Sequence, residues 1–210
     1  MLRRIRELRF TLRLLLGIIL IFGMASAYVR HRIKSSAKTG ELIQVLNSYP
    51  GRIELSYGWD DSSKPVTPEW ARRYVGDYFF ANVNGICLRG NENIDDKVIG
   101  SVGKFKTLRR FTVSFTSVTD DGLRNFQGLK RLEMLSLTGA PVTDKGMDII
   151  GEMRQLRVLG LCKTNITDKG LKKLHGLDQL EAIVLTKTKT TKAGRDALRA
   201  ALPNCRINYK

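Results

Sequence analysis

The sequence predicts an α/β solenoid, in which short strands and short helices alternate and stack as coils. The first observation behind this is a repeat with constant spacing. Val118-Thr-Asp-Asp-Gly-Leu123, Val142-Thr-Asp-Lys-Gly-Met147 and Ile166-Thr-Asp-Lys-Gly-Leu171 follow one another at a fixed interval. One period earlier stands Ile94-Asp-Asp-Lys-Val-Ile99, and one later Thr190-Thr-Lys-Ala-Gly-Arg195, which makes five units. The second observation is that apolar columns recur in step with these starts. The third is composition: 210 residues, 42% hydrophobic, suffice to bury a core and exclude a disordered chain.

Each element follows from the columns. Ile99, Leu123, Met147 and Leu171 form one; Val102, Phe126, Ile150, Leu174 and Leu198 the next; Phe105, Leu129, Met153, Leu177 and Ala201 a third. Their i, i+3, i+6 spacing predicts the inward stripe of a short helix. Leu108, Leu132, Leu156 and Leu180 follow. Phe111, Leu135, Leu159, Ile183 and Ile207 then alternate with the column Val113, Leu137, Leu161, Leu185, which predicts a strand. One coil cannot bury its own apolar side, but stacked coils can. Each inward Leu or Ile contributes roughly 1.5–3 kcal/mol when fully buried.

Leu156-x-x-Leu159-x-Leu161-x-x-Thr164-x-Ile166 resembles the leucine-rich-repeat consensus, with Thr where that family often has Asn. Thr116, Ala140 and Thr188 hold the same place elsewhere. The Thr-Asp-x-Gly-Leu run is similar to a 24-residue class found in short bacterial repeat proteins, many of which carry a basic, hydrophobic N-terminus. The resemblance covers 83–210 closely and 1–29 loosely. It implies a right-handed solenoid with a parallel sheet on its concave side, and a protein that binds partners rather than one that catalyses.

The end units depart from the pattern. Thr190, Arg195 and Asn204 interrupt apolar columns, Val98 stands where later units have Gly, and the first unit is one residue longer between its strand and Ile94. Leu202-Pro-Asn-Cys-Arg-Ile207 reads as a last edge strand. Residues 39–82 read as an N-terminal α+β cap. Within it, Glu41–Leu46 is a short amphipathic helix, Arg52–Tyr57 a strand, and Thr67-Pro68 a helix start. Trp59 and Trp70 are expected to pack there, with an aromatic binding site as the alternative.

Upstream, residues 1–13 form a basic leader and 14–29 an uncharged run of 16 residues, followed by a juxtamembrane linker over 30–38. This run falls just under the usual spanning length of about 17–25 residues, which snorkelling of Arg13 and Arg30 would extend. A signal-anchor helix and a signal peptide cleaved after Ala25-Ser26-Ala27 both fit. The expected location is the membrane, single-pass, with the repeats outside the cytoplasm. The alternative is a secreted or periplasmic chain.

The net charge is +16, of which the stretch through Lys34 supplies +7. Asp96, Asp120, Asp144 and Asp168 form a ladder, expected to serve the N-termini of their own helices, with a calcium site as the alternative. Arg109, Glu133, Arg157 and Glu181 form a ladder of alternating sign. Lys106, Lys130 and Arg154 form a basic one. The candidate protein-binding surface is the concave face: Arg110, Met134, Val158 and Ala182; Thr112, Ser136, Gly160 and Val184; Ser114, Thr138, Cys162 and Thr186. It is nearly uncharged, which suits the centre of a protein interface.

No phosphate-binding loop, dinucleotide fingerprint, zinc-protease pair or nucleophile elbow occurs. Cys87, Cys162 and Cys205 form no C-x-x-C pair and read as small apolar residues. His175 reads as a capping or surface histidine. No catalytic residue, cofactor or metal site is expected, and no nucleic acid. The sequence thus predicts a membrane-anchored, non-enzymatic module whose partner is a protein or peptide. The alternative is a structural envelope protein held to anionic surfaces by its basic edge.

Overall fold

The computed structural model describes residues 39–41, 43, 44, 46, 52–58, 82–90 and 93–209. The chain divides into two compact units, Met1–Glu41 with Pro65–Phe80, and Leu42–Lys64 with Ala81–Lys210. Every described strand belongs to the second. The basic leader, the apolar run, Trp59, Trp70 and the expected helix start at Thr67 lie outside the described residues. Among those described, no helix is long and apolar enough to cross a membrane.

Among the described residues, seven strands form one sheet in chain order. They are β1 (Arg52–Gly58), β2 (Asn82–Arg89), β3 (Arg110–Ser114), β4 (Met134–Thr138), β5 (Val158–Gly160), β6 (Ala182–Val184) and β7 (Arg206–Asn208). β1 runs antiparallel to β2, with a bulge between Ser56 and Tyr57, and all later pairs are parallel. The order of strands and helices gives a leucine-rich-repeat-like α/β architecture. Register follows the sequence columns: Ile86, Phe111, Leu135, Leu159, Ile183 and Ile207 lie side by side. Ile86 pairs with Phe111 although it stands one position further from it in the chain than Phe111 does from Leu135, so the longer first unit is real. Leu135, Leu159 and Ile183 are fully buried, as are Leu108, Leu132 and Leu156.

Between the strands lie α1 (Asp96–Val102), α2 (Asp120–Leu123), α3 (Gly146–Ile150), α4 (Asp168–Lys173) and α5 (Lys192–Ala201), with a 3-10 turn at Arg124–Phe126. The first four are shorter than the three-column stripe suggested. Phe105, Leu129, Met153 and Leu177 lie past the helices, in the return turns, although all four are buried. They are inward because the turn folds back over the core, and a period of three is shared by helices and 3-10 turns.

The Asp ladder has a different role from the one expected. Thr119, Thr167 and Thr191, together with Asp95, are the N-caps of α2, α4, α5 and α1. Each ladder Asp instead reaches the next coil. Asp96 accepts from the Thr119 N–H at 2.8 Å and hydroxyl at 2.6 Å. The same two bonds join Asp120 to Thr143, Asp144 to Thr167 and Asp168 to Thr191. Both oxygens of each carboxylate are thereby engaged. No cluster of three or more metal-ligating side chains occurs among the described residues.

This bridge explains the glycine of the Thr-Asp-x-Gly run. A Cβ on Gly122 would lie 2.3 Å from Asp96 Oδ1, and one on Gly194 would lie 2.0 Å from Asp168 Oδ1. The glycine is the space into which the preceding coil's carboxylate fits. Val98 occupies this place in the first coil.

At the far end, Arg195 donates to the Thr190 carbonyl at 2.7 Å, and its guanidinium lies 4.4 Å from the Tyr209 ring centroid. The polar interruption at Arg195 is thus an end seal. At the other end Ile43 and Leu46 are buried in the common core, with Leu55 of β1 packed against it.

The bridge is testable by a double-mutant cycle. Gly122→Ala is expected to destabilise the chain by about 1–3 kcal/mol through overpacking, and Asp96→Ala by about 1.5–3 kcal/mol through loss of two charge-assisted hydrogen bonds. In the Asp96→Ala background, Gly122→Ala should become neutral or gain up to about 1 kcal/mol of helix propensity. Additive losses in urea melts would show that the carboxylate does not occupy the glycine's space.

Candidate functional site

The residues that alternate with the buried strand positions form the outer face of the sheet. The structure places ten of the twelve predicted residues there, in rows. Arg110, Met134, Val158 and Ala182 form one row, continued by Arg206. Thr112, Ser136, Gly160 and Val184 form the next, continued by Asn208. Ser114 pairs with Thr138, whereas Cys162 and Thr186 lie just past β5 and β6, because those strands have only three residues. Most of the twelve are half-buried; Gly160 is buried and Arg110 exposed. The rows pack closely: a Cβ on Gly160 would lie 2.8 Å from Ser136 Oγ.

The face extends further than the sequence columns indicate. β2 adds Gly85, Cys87 and Arg89, which pair with Arg110, Thr112 and Ser114. Gly85, Cys87, Arg89, Arg110 and Thr112, with Glu54, Leu55 and Met134, line a shallow depression of about 320 Å³. Arg89 Nε donates to the Cys87 sulfur at 3.2 Å. That hydrogen bond is the main reason the Arg89 guanidinium is held above its ordinary pKa. Cys87, Cys162 and Cys205 are all free thiols. Burial pushes the Cys205 thiol up, which leaves it unreactive. The uncharged centre is thus bordered by arginines: Arg89 and Arg110 on one side, Arg206 on the other.

The charged ladders flank the sheet. Arg109 pairs with Glu133 at 2.9 Å. Arg157 Nε reaches Glu181 at 2.8 Å, and this partner raises the Arg157 pKa further. The alternating ladder thus resolves into two couples. Lys106 donates to the Gly103 carbonyl at 3.0 Å, and Arg154 to the Gly176 carbonyl. Much of the basic edge therefore serves as caps on backbone turns. In the Asp ladder, hydrogen bonds from the Thr191 hydroxyl and N–H hold the Asp168 carboxyl below its usual range, with Arg195 and Lys172 adding to this. His175 is half-buried just past the end of α4, and its Nε2 has no hydrogen-bond partner.

One row has no counterpart among the sequence columns. Just past the strands stand Gly90, Phe115, Gly139, Lys163 and Lys187, all left-handed, with φ between 54° and 70°. This backbone turns the chain away while keeping the ladder. The N–H groups of Gly90, Phe115, Gly139 and Lys163 donate to Ser114, Thr138, Cys162 and Thr186 of the next coil, at 2.8–2.9 Å. Glycine suits such a position. A side-chain residue there costs roughly 1–2 kcal/mol, and a bulky one is rare. Phe115 is nevertheless 52% exposed, and its ring lies across Gly139, where a Cβ would approach it to 2.7 Å. Lys163 Nζ sits 4.8 Å from the ring centroid. The signal is present in the column Phe115, Gly139, Lys163, Lys187: a Gly in one coil opposite bulky residues in others.

The fold is similar to that of several leucine-rich-repeat chains of known structure. Internalin C2 from Listeria monocytogenes matches at 18% identity with a TM-score of 0.45, over 53% of this chain and 46% of that one. A leucine-rich-repeat protein from Leptospira interrogans matches at 19% and 0.39, over 52% and 33%. The leucine-rich-repeat ectodomain of a receptor kinase from Arabidopsis thaliana matches at 13% and 0.47, over 82% and 97%. The chain therefore spans less than half the length of the first two. No protein-family model matches it, and no curated protein matches it in sequence. These likenesses concern the fold and assign nothing to the site.

The left-handed row separates stability from side-chain identity. Lys187 is exposed at φ 56°. Lys187→Gly removes about 1–2 kcal/mol of backbone strain and restores about 0.4–1 kcal/mol of unfolded-state entropy. The chain is expected to gain up to about 1 kcal/mol. A clear loss of stability in urea melts would mean that the lysine holds the coil together.

Proposed function

We propose that the chain is a membrane-anchored binding module whose sheet face takes a protein or peptide partner, acting by contact rather than by catalysis. The supporting observation is the face itself. A strip of half-buried hydroxyl and small apolar side chains lies between arginines, on a chain of net charge +16. Charge is depleted where protein interfaces are driest and placed where they meet water. Val158, Val184 and Met134 supply apolar area at the centre, and Ser136 and Thr138, whose hydroxyls lie 3.3 Å apart, supply donors and acceptors.

Anchoring rests on the run Leu14–Val29 with its arginine flanks, and the repeats are placed outside the cytoplasm. Cleavage after Ala27 would give a secreted or periplasmic form. The coils are read as five units of constant period in a right-handed solenoid. The alternative of a structural protein held by its basic edge is less well supported, because Lys106 and Arg154 already serve backbone carbonyls and Arg109 and Arg157 are paired.

A photo-crosslinking residue at Ser136, introduced into the full chain in its own cells, is expected to capture one protein in the membrane fraction. The capture should vanish in a Val158→Glu/Val184→Glu variant that keeps its circular dichroism. Unchanged crosslinks would place the interface elsewhere. Recovery of a soluble form starting at Tyr28 would remove the anchor.

A further inference from the structure

We propose that the strand ends carry a subsite for an acidic, extended protein segment, gripped by Phe115, Lys163 and Lys187. This inference rests on the reading of the sheet as a protein-binding face, and it names the chemistry of the partner. Three independent observations lead to it.

The first is conformational. The turn after each strand requires a left-handed residue, which Gly90 and Gly139 supply without strain. Phe115, Lys163 and Lys187 adopt the same backbone with side chains attached. The N–H hydrogen bonds of Phe115 and Lys163 would form equally well with glycine, so the fold does not call for these side chains. Strain of this kind gathers at binding sites.

The second is exposure. Phe115 is the most exposed large hydrophobic among the described residues, at 52%. Its ring is held in place rather than free, lying on Gly139 and carrying Lys163 Nζ on one face. A rigid aromatic with a cation beside it offers contact area at low entropic cost.

The third is charge. From Phe115 to Thr119, Gly139 to Thr143, Lys163 to Thr167 and Lys187 to Thr191 there is no carboxylate, whereas Lys163, Lys187 and Lys189 are all exposed. The nearest carboxylates in sequence, Asp120, Asp144 and Asp168, are occupied by threonines of the next coil. Among the described residues neither Lys163 nor Lys187 holds an ion pair. They stand on successive coils about 4.8 Å apart, and alternate side chains of an extended chain lie about 6.6–6.8 Å apart. The long lysine stems bridge that difference, so one segment can place carboxylates on both while an apolar side chain meets Phe115.

The test uses the full chain in nonionic detergent and two fluorescein-labelled peptides, eight glutamates with and without a central tryptophan. Wild type is expected to bind both, the tryptophan peptide more tightly. Lys163→Glu/Lys187→Glu should weaken both by about tenfold or more. Lys130→Glu/Arg131→Glu, an equal change of net charge elsewhere, should leave both within about twofold. Phe115→Ala should lower affinity for the tryptophan peptide alone, by about threefold. If that variant fails to fold, Phe115→Asn, which tolerates the left-handed backbone, gives the same readout. Equal losses in the two charge-reversal variants, or equal binding of a glutamine-for-glutamate peptide, would overturn the inference. So would binding to vesicles of equal parts phosphatidylcholine and phosphatidylglycerol that depends on the same three residues. If wild type holds neither peptide while the Ser136 crosslink remains sensitive to Val158→Glu/Val184→Glu, the subsite falls and the binding face stands.

Discussion

Coil-on-coil registration is the constraint from which the rest of the structure follows. A single turn of strand, helix and return has one apolar side and nothing of its own to cover it. The neighbouring coil supplies the cover, but only if it arrives in register. A slip by one residue would turn Leu135, Leu159 and Ile183 outward. Two devices hold the register at opposite sides of each coil. On the strand side it is the parallel ladder with its buried columns. On the helix side it is a carboxylate from one coil closed by the N–H and hydroxyl of a threonine in the next. The second device is specific where the first is not. Apolar packing tolerates exchange among Leu, Ile and Met, whereas a two-bond carboxylate bridge needs its donors at one place and a glycine to leave room.

That division explains what is legible in the sequence. The apolar columns report strand register residue by residue, because burial against a like neighbour repeats at the period of the coil. Even the longer first unit can be counted from Ile86 to Phe111. Ten of the twelve residues assigned to the outer face follow directly, since a strand that buries alternate positions must present the others; Cys162 and Thr186 do not, because β5 and β6 end before them. The Asp ladder is visible too, but the sequence assigns it to the wrong helix. Read along one coil, an Asp beside a helix start belongs to that helix; only the stacked geometry shows that it faces the threonine of the next coil. The Thr-Asp-x-Gly run is therefore a relation between coils, although it is written as four neighbours within one.

The left-handed row escapes the sequence for a related reason. A column containing Phe115, Gly139, Lys163 and Lys187 has no shared chemistry, so a search for apolar or charged periodicity passes over it. What those residues share is a backbone angle, and side-chain type reports backbone angle only when glycine occupies the place in most coils. Here it does so at Gly90 and Gly139 alone. The helix columns err in the other direction. Phe105, Leu129, Met153 and Leu177 are inward as predicted, but spacing by three does not distinguish the end of a helix from a tight return turn.

These two kinds of position bear differently on function. Asp144 and Thr167 are bonded to one another across coils and Gly170 leaves room for the carboxylate, so a change at any of the three disturbs the register. Val158, Val184, Thr112 and Ser136 contribute little to the stack beyond strand propensity, and Lys163 and Lys187 strain it. A scaffold fixed by its carboxylate bridges can carry side chains that the fold itself does not require. The residues that make sense only in contact with something else are then those that stacking leaves unexplained: an exposed Phe115 in an unfavourable backbone, lysines outside any ion pair, and an uncharged strip bordered by arginines. All of these lie on the sheet or at its strand ends.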